Sequence, residues 1–546
     1  MRGINSSRAI AVFLAAATVL PSCGESGGSS AFASSDGSPG GQATDGAGDG
    51  ADAVDAADVS DGADAGDGLP PEVESTVSLP TPAAGESHVF IPSQLLDVLV
   101  RIHGESLAVT LLDTGLDPVA VARVDADDTV SVLAVNAGSD DVSLFRDAEA
   151  EAPSAAEIAD LPTPANQLAL CPDHRFAVTW RAPGPMDALG TGSLQDVSLV
   201  RLDPLGVVSI GVGFRPSKVE YFGTGAFVLS DSGVSRIELD DDFEPRFAPA
   251  VAVSADPLEN PRDREVVLLD ASTAAVRTFG EPMVRFVALA DGAFREVTLE
   301  GAPTDLDVTL GGAEVLAVLR DRRELVRLAN DESVAPVTLS LGDLPAGQAE
   351  VDEAGGRAVA FTSVVTDSKG ELTKAGNEWL VVVDLEGGAE PRVVPLVKGV
   401  AAVVVSPDGR RAVVLHDRRT HVGAEEPIDR VDAQVDAAPG FSVVDLDSGY
   451  AKLELPGADP LGVALRDGRA LVLVPEGASP GGALDVDLQA LSVRRVELGS
   501  PPTLAIGVGS RTAILQEHPA GRVTFLDHDS GATETVTGFQ LNSKIK

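Results

Sequence analysis

The chain has 546 residues, 84 acidic against 40 basic, for a formal net charge of −44. Such an acidic excess argues against a nucleic-acid partner, whose phosphates it would repel, and against flat docking on anionic lipid, while cationic partners and divalent cations stay compatible. Apolar residues make up 44% and aromatics only 4%, so a core must come from Val, Leu and Ala, in a chain suited to a repeat array or two to three domains.

Residues 1–22 read as an export signal. Arg2 and Arg8 give a basic start and residues 9–20 an apolar run, about a dozen residues and too short to span a bilayer. The segment ends Leu20-Pro21-Ser22-Cys23. This resembles the lipobox of bacterial lipoproteins, with a branched apolar residue three before the Cys and a small one just before it. Pro21 is the departure from that pattern. The resemblance implies lipidation of Cys23 and a membrane anchor in the bacterial cell envelope, and Gly24 points to the outer membrane. A plain secretory signal with an incidental Cys is the alternative.

Residues 23–75 form the next unit. After Cys23 they are Gly, Ser, Ala and Asp with 12 acidic residues and no Lys or Arg. With little to bury and like charges to extend it, this stretch is expected to be a disordered linker reaching on the order of 40 Å. Asp49, Asp52, Asp55, Asp58, Asp61, Asp64 and Asp67 recur at every third position. A calcium loop needs alternating ligands and a bidentate carboxylate, so the spacing implies weak Ca²⁺ association at most.

From residue 79 the pattern turns to strands, and residues 76–546 read as one all-β domain. The clearest hairpin is VVVSPDGRRAVVL (403–415): apolar run, Pro407-Asp408-Gly409 turn, apolar run. LALCPDHRFAVTW (168–180) matches it, with Cys171 standing where Ser406 stands. Looser copies place unit starts near 118, 164, 216, 303, 345, 400, 460 and 502, and the interval from 216 to 303 has room for two. A third strand often follows and ends in an acidic Gly turn, as at 379–388, 441–449 and 523–531, and then a short fourth strand. Four strands per unit at a period of about 40–50 residues is the signature of propeller blades. These motifs resemble WD40-like and YVTN-like repeats across roughly residues 87–546. The resemblance implies a β-propeller of about eight four-stranded blades, seven to nine in range. Its members include binding scaffolds and a few lactone hydrolases, so activity stays open.

Chemical motifs are sparse. Asp113-Thr114-Gly115 with a later Asp-Ser-Gly spells an aspartic protease, yet Asp-Ser-Gly recurs at 231, 447 and 529, where the Asp-Gly pairing is turn chemistry. The seven His residues show no zincin spacing, and there is no nucleophile elbow, phosphate loop or dinucleotide fingerprint. Cys171 lies on an apolar repeat strand and reads as a buried thiol.

One polar insertion stands out at 416–440, between the second and third strands of its unit. It carries His416, Asp417, His421, Glu425, Glu426, Asp429, Asp432 and Asp436. Insertions at 181–194, 363–378 and 475–483 occupy the same point in theirs. In a propeller these loops share one face with the connections between blades, which makes that face the candidate binding surface. A tolerated surface loop, removable at about 0.6 kcal/mol per doubling of length, is the other reading. Two functions remain open: a lipid-anchored propeller that binds a protein, glycan or cation, or a lactonase-like hydrolase with a carboxylate-held metal in its channel. First-strand starts rich in Leu, Val and Ala favour binding without a resident cofactor.

Overall fold

The computed structural model describes residues 82–540, apart from 127–128, 183–192, 241–242, 353, 364, 367–371, 375, 386–388, 419–429, 467 and 476–481. Among the described residues the strands gather into ten blade sheets in chain order, at residues 83–113, 118–160, 167–211, 216–238, 264–298, 305–340, 348–395, 400–454, 462–497 and 502–537, with one further two-stranded sheet inside the seventh. We call them blades one to ten. Eight are four-stranded antiparallel meanders. Neighbouring blades approach one another through their first strands, and blade ten packs back on blade one, where Val89, Val100 and Ile102 share a cluster with Val508, Val523 and Phe525. The chain is a closed β-propeller.

Ten blades exceed the eight expected from repeat starts. Blade one lacks a Pro-Asp-Gly hairpin, and its first strand is only Ala83–Ala84. The interval from 216 to 303 holds both blade four and blade five. Blade four is irregular: it keeps three strands, and the short strand Arg246–Phe247 that follows it pairs in parallel with the last strand of blade three.

Burial explains why these sequences read as strands without clean alternation. Second strands are covered on both faces by adjacent blades, so RALVLV at Arg469–Val474 and EVLAVL at Glu314–Leu319 are almost wholly buried. Outer strands alternate or lie mostly exposed, as in FREVT at Phe294–Thr298. Each enclosed Val or Leu contributes roughly 1.5–3 kcal/mol.

The repeated turn is built as its residues suggest. Ser406 Oγ donates to Asp408 Oδ1 at 2.6 Å and accepts from Arg411 N at 2.9 Å, and Gly409 sits at φ 65°. Cys171 copies it: Sγ donates to Asp173 Oδ1 at 2.7 Å and accepts from Phe176 N at 3.1 Å. Burial and the Asp173 carboxylate push this thiol up to about 11, so it is not a nucleophile at neutral pH. The third-strand turns work alike, with Asp445 Oδ1 accepting from Asp447 N and Ser448 N.

The first-to-second turns and, where a blade has a fourth strand, the third-to-fourth turns lie at one end of the sheet, which we call the turn face. Second-to-third loops and connections between blades lie at the other, the loop face. Arginines knit the turn face. Arg101 donates to Ala150 O (2.6 Å), Arg146 to Leu202 O (2.7 Å), Arg295 to Ala329 O (2.7 Å) and Arg357 to Gly409 O (2.7 Å). Arg411 donates to Leu488 O (2.8 Å), Arg466 to Arg511 O (2.7 Å), and Arg511 to Gly104 O across 407 residues (3.1 Å). Arg327 reaches Leu385 O in the same way. Each bond runs from one blade to the next. At the junction of blades four and five the direction reverses, and Arg264 reaches back to Asp231 O on the loop face.

Glu149 of blade two clasps blade one on the turn face. Its Oε1 accepts from Ser87 N (2.7 Å), Ser87 Oγ (3.0 Å) and His88 N (2.9 Å). Burial works against the charged carboxylate, but the His88 ring and these donors outweigh it and hold its pKa at about 2. A depressed carboxyl lends stability that is present above its unfolded value and lost as pH falls through the folded one. Glu149→Gln should therefore cost about 1–2 kcal/mol at pH 6, discounted for solvent screening, and the gap should close as pH drops from about 4.5 to 2. Urea unfolding of both proteins at several pH values measures this, and a pH-independent gap would refute the clasp.

Candidate functional site

Long loops interrupt blades three, seven, eight and nine between their second and third strands, all on the loop face. Three of the four blades are consecutive. The loop of blade seven forms a hairpin, Val365–Thr366 with Leu372–Lys374, and that of blade eight carries the single α-helix of the described residues, α1 (Arg430–Ala437).

The two loops share a base. Val400 N donates to Asn377 O (3.0 Å), and Asp417 N to Gly399 O (3.0 Å). Asp417 Oδ2 accepts from Gly376 N at 3.3 Å. A Cβ at Gly376 would fall 1.9 Å from Val400 O, so this close approach admits only glycine. His416 closes the second strand of blade eight, its Nδ1 3.1 Å from Gly399 O and Nε2 2.7 Å from Ser442 Oγ. His416 and Asp417 are both buried and bind the chain itself, where the sequence suggested loop residues facing a partner.

Lys398 holds the helix. Its ammonium donates to Val435 O and Asp436 O, 2.7 Å each, at the C-terminal end of α1, and the residue is 1% exposed. A cation there complements the helix dipole and the terminal carbonyls. Asp432 is exposed in the first turn of α1, the favourable end for an acid, and Asp436 is half-buried. His421, Glu425, Glu426, Asp429 and Cys23 lie outside the described residues, as does the 23–75 segment. Of the eight loop candidates, the structure brings His416 and Asp417 together at the base and puts Asp432 and Asp436 on the helix.

Sequence reading missed a cluster between blades nine and ten. Asp485, 1% exposed at its side chain, sits 2.9 Å from His528 Nδ1 and 3.4 Å from Arg469, with Arg494 also paired to it. His528 Nε2 lies 2.7 Å from Thr512 Oγ1. Burial pushes the Asp485 carboxyl up, but His528, Arg494 and Arg469 together keep it below the usual range. Asp, His and hydroxyl stand in the order of a nucleophile relay, yet Thr512 is itself buried on a central strand. The line is an interblade latch. No spacing in the sequence signals it, since Asp485 and His528 are 43 residues apart.

The protease spelling dissolves as well. Asp113 ends the exposed fourth strand of blade one toward the loop face, while Asp447 is paired with Arg410 and Arg357 on the turn face. Among the described residues no three His, Cys, Asp or Glu side chains are grouped to hold a metal ion, and no helix is long and apolar enough to cross a membrane.

No protein-family model matches the chain, and no curated protein matches it in sequence. Among solved structures it is similar to apo AztD from Citrobacter koseri, at 12% identity over 67% of this chain and 94% of that one, with a TM-score of 0.38. It is also similar to a eukaryotic initiation factor (11% identity, 72% and 94% covered, TM-score 0.44) and to the WD40 domain of Toxoplasma gondii coronin (11%, 57% and 77%, 0.31).

Proposed function

We propose that this protein is a cell-envelope lipoprotein, anchored through Cys23, whose propeller binds a protein or glycan partner on its loop face. The observation that carries the reading is the uneven use of the two faces. Large apolar side chains stand exposed in the loops and connections of the loop face, including Leu95, Leu116, Phe214, Val397, Val431 and Leu461, whereas among the described residues Val334 does so in the turns of the opposite face, with Val109, Phe294, Val337 and Tyr450 opening the fourth strands beside those turns. The long loops gather on the same side, and the turn face is occupied by bonds between blades. Exposed apolar groups on loops held by a rigid scaffold are what an interaction surface offers.

Photo-crosslinking side chains at Leu116 or Val397 should trap a partner on intact cells, and one at Val334 should not. Equal trapping from both faces would refute the loop-face assignment. For the anchor, Cys23→Ser should release the protein from membranes and abolish metabolic lipid labelling. Unchanged membrane association in that variant would sink it.

A further inference from the structure

Two leucines project from the loop face where blade one meets blade two: Leu95, 73% exposed, and Leu116, 53% exposed. Leu95 belongs to the second-to-third loop of blade one, and Leu116 to the connection into blade two. The two loops are tied together. Asp117 N donates to Asp97 Oδ1 at 3.0 Å, and Thr114 N to Asp97 O at 3.4 Å. The second-to-third loop of blade two joins from the other side. Leu116 N donates to Ser139 Oγ at 2.8 Å, and Gly138 N to Leu116 O at 2.9 Å. A Cβ at Gly138 would stand 3.0 Å from Leu116 Cβ, so the glycine leaves that leucine uncovered. Apolar groups held out on a fixed frame lose little freedom when a partner meets them.

Charge around the leucines narrows what can cover them. Asp113 and Asp117 flank the connection, and Asp140 and Asp160 stand together at the loop-face end of blade two, where Asp160 pairs with Asp141. Among the described residues the bases of blades one and two are Arg101, Arg123 and Arg146. All three turn away, toward Ala150 O, Asp125 and Leu202 O. Other exposed apolar groups of the loop face adjoin a base: Phe214 beside Arg215, Val397 beside Lys398, Val431 beside Arg430. An apolar patch rimmed by carboxylates alone complements an apolar surface rimmed by Lys or Arg. Such a rim repels an anionic bilayer. Among the described residues no aromatic ring stands exposed in these loops for a sugar to stack on.

We infer that the loop face of blades one and two docks a basic amphipathic segment of a partner protein. Its apolar side chains cover Leu95 and Leu116, and its Lys or Arg side chains meet Asp113, Asp117, Asp140 and Asp160. This rests on the loop-face reading above and assigns that partner its chemistry.

The probe is a fluorescein-labelled peptide of Leu and Lys, about 18 residues long and patterned as an amphipathic helix. Its controls are a scrambled peptide of the same composition and a version with Gln in place of Lys. Anisotropy titration of the full-length chain in about 0.15 M salt should show saturable binding at one site, about tenfold tighter than either control. Leu95→Ser combined with Leu116→Ser should weaken it about tenfold at unchanged melting temperature, since both side chains are exposed. Asp113→Asn with Asp140→Asn should weaken it severalfold and flatten its salt dependence. Val397→Ser should leave it as it was. A scrambled peptide that binds equally well overturns the site, because net charge alone would then attract it, and so does binding unchanged in the leucine variant. A Gln peptide that matches the Lys peptide overturns the basic partner. Self-association of the chain that is lost in the leucine variant assigns the patch to a second copy and also overturns it. On cells, crosslinking from Val397 without crosslinking from Leu116 removes this sector and leaves the loop-face reading standing, whereas silence from both removes the reading itself.

Discussion

Asp485→Ala should destabilise the folded protein by roughly 3 kcal/mol, the largest single-side-chain effect expected outside the apolar core. Truncating one member of a buried charge network costs about 3–5 kcal/mol because its partners stay behind uncompensated. Here Arg469 and Arg494 are partly exposed and regain some hydration, which puts the cost at the lower end. His528 is more enclosed and loses the acceptor that orients it toward Thr512. Asp485→Asn keeps the volume and one hydrogen bond and should cost about half as much. The carboxyl is held below its ordinary value, so its contribution is present above the unfolded pKa of about 3.8 and fades as pH falls through the lower folded one. Variant and parent should therefore converge in acid. Urea unfolding at pH 7 and pH 3 tests both statements, and a loss under about 1 kcal/mol at pH 7 would show that the network does not latch the blades.

Replacing residues 418–439 with a short Gly-containing turn should cost about 2–4 kcal/mol, far more than loop-length arithmetic allows. The excess comes from Lys398. With α1 gone, the carbonyls of Val435 and Asp436 that hold its buried ammonium are gone too. Combining the replacement with Lys398→Met should restore stability to within about 1 kcal/mol of the parent, since a straight apolar chain of similar size fills the space without a charge. The double-mutant cycle is the measurement. If the replacement alone proves silent, the helix is a passenger and Lys398 draws its stability elsewhere.

The blade signature was legible because its turn chemistry is local. Ser406 with Asp408, and Cys171 with Asp173, each close a turn within five residues, and such spacing survives in one dimension. The number of blades was not. Blade one opens on a two-residue strand with no Pro-Asp-Gly turn, and the strand after blade four adds to blade three, so counting hairpins undershoots. His416 and Asp417 read as the start of a polar loop, yet both are buried, His416 against Gly399 and Ser442 and Asp417 against Gly376 of the blade-seven loop, and burial by residues distant in sequence leaves no local mark. Lys398 stands in an apolar stretch with nothing local to mark it. Its meaning depends on a helix end some 37 residues later. Asp485 and His528, and Glu149 with Ser87, are likewise joined only once blades stand side by side. Contacts between repeats make the site, and repeats betray themselves only within their own period.

The direction of the turn-face arginines bears on the order of assembly. Synthesis delivers blade one first, and from blade five onward each blade emerges with a guanidinium whose acceptor carbonyl belongs to the blade still to come. Only Arg511, near the end of the chain, finds its acceptor already made, at Gly104. Until that bond forms, blade one presents a bare apolar flank to whatever else is in solution. A nascent chain of this design is thus committed to its most distant contact at the last step, and closing so large a loop is slow. Over that interval it is open to pairing with a second copy of itself and dependent on whatever shields unfinished chains.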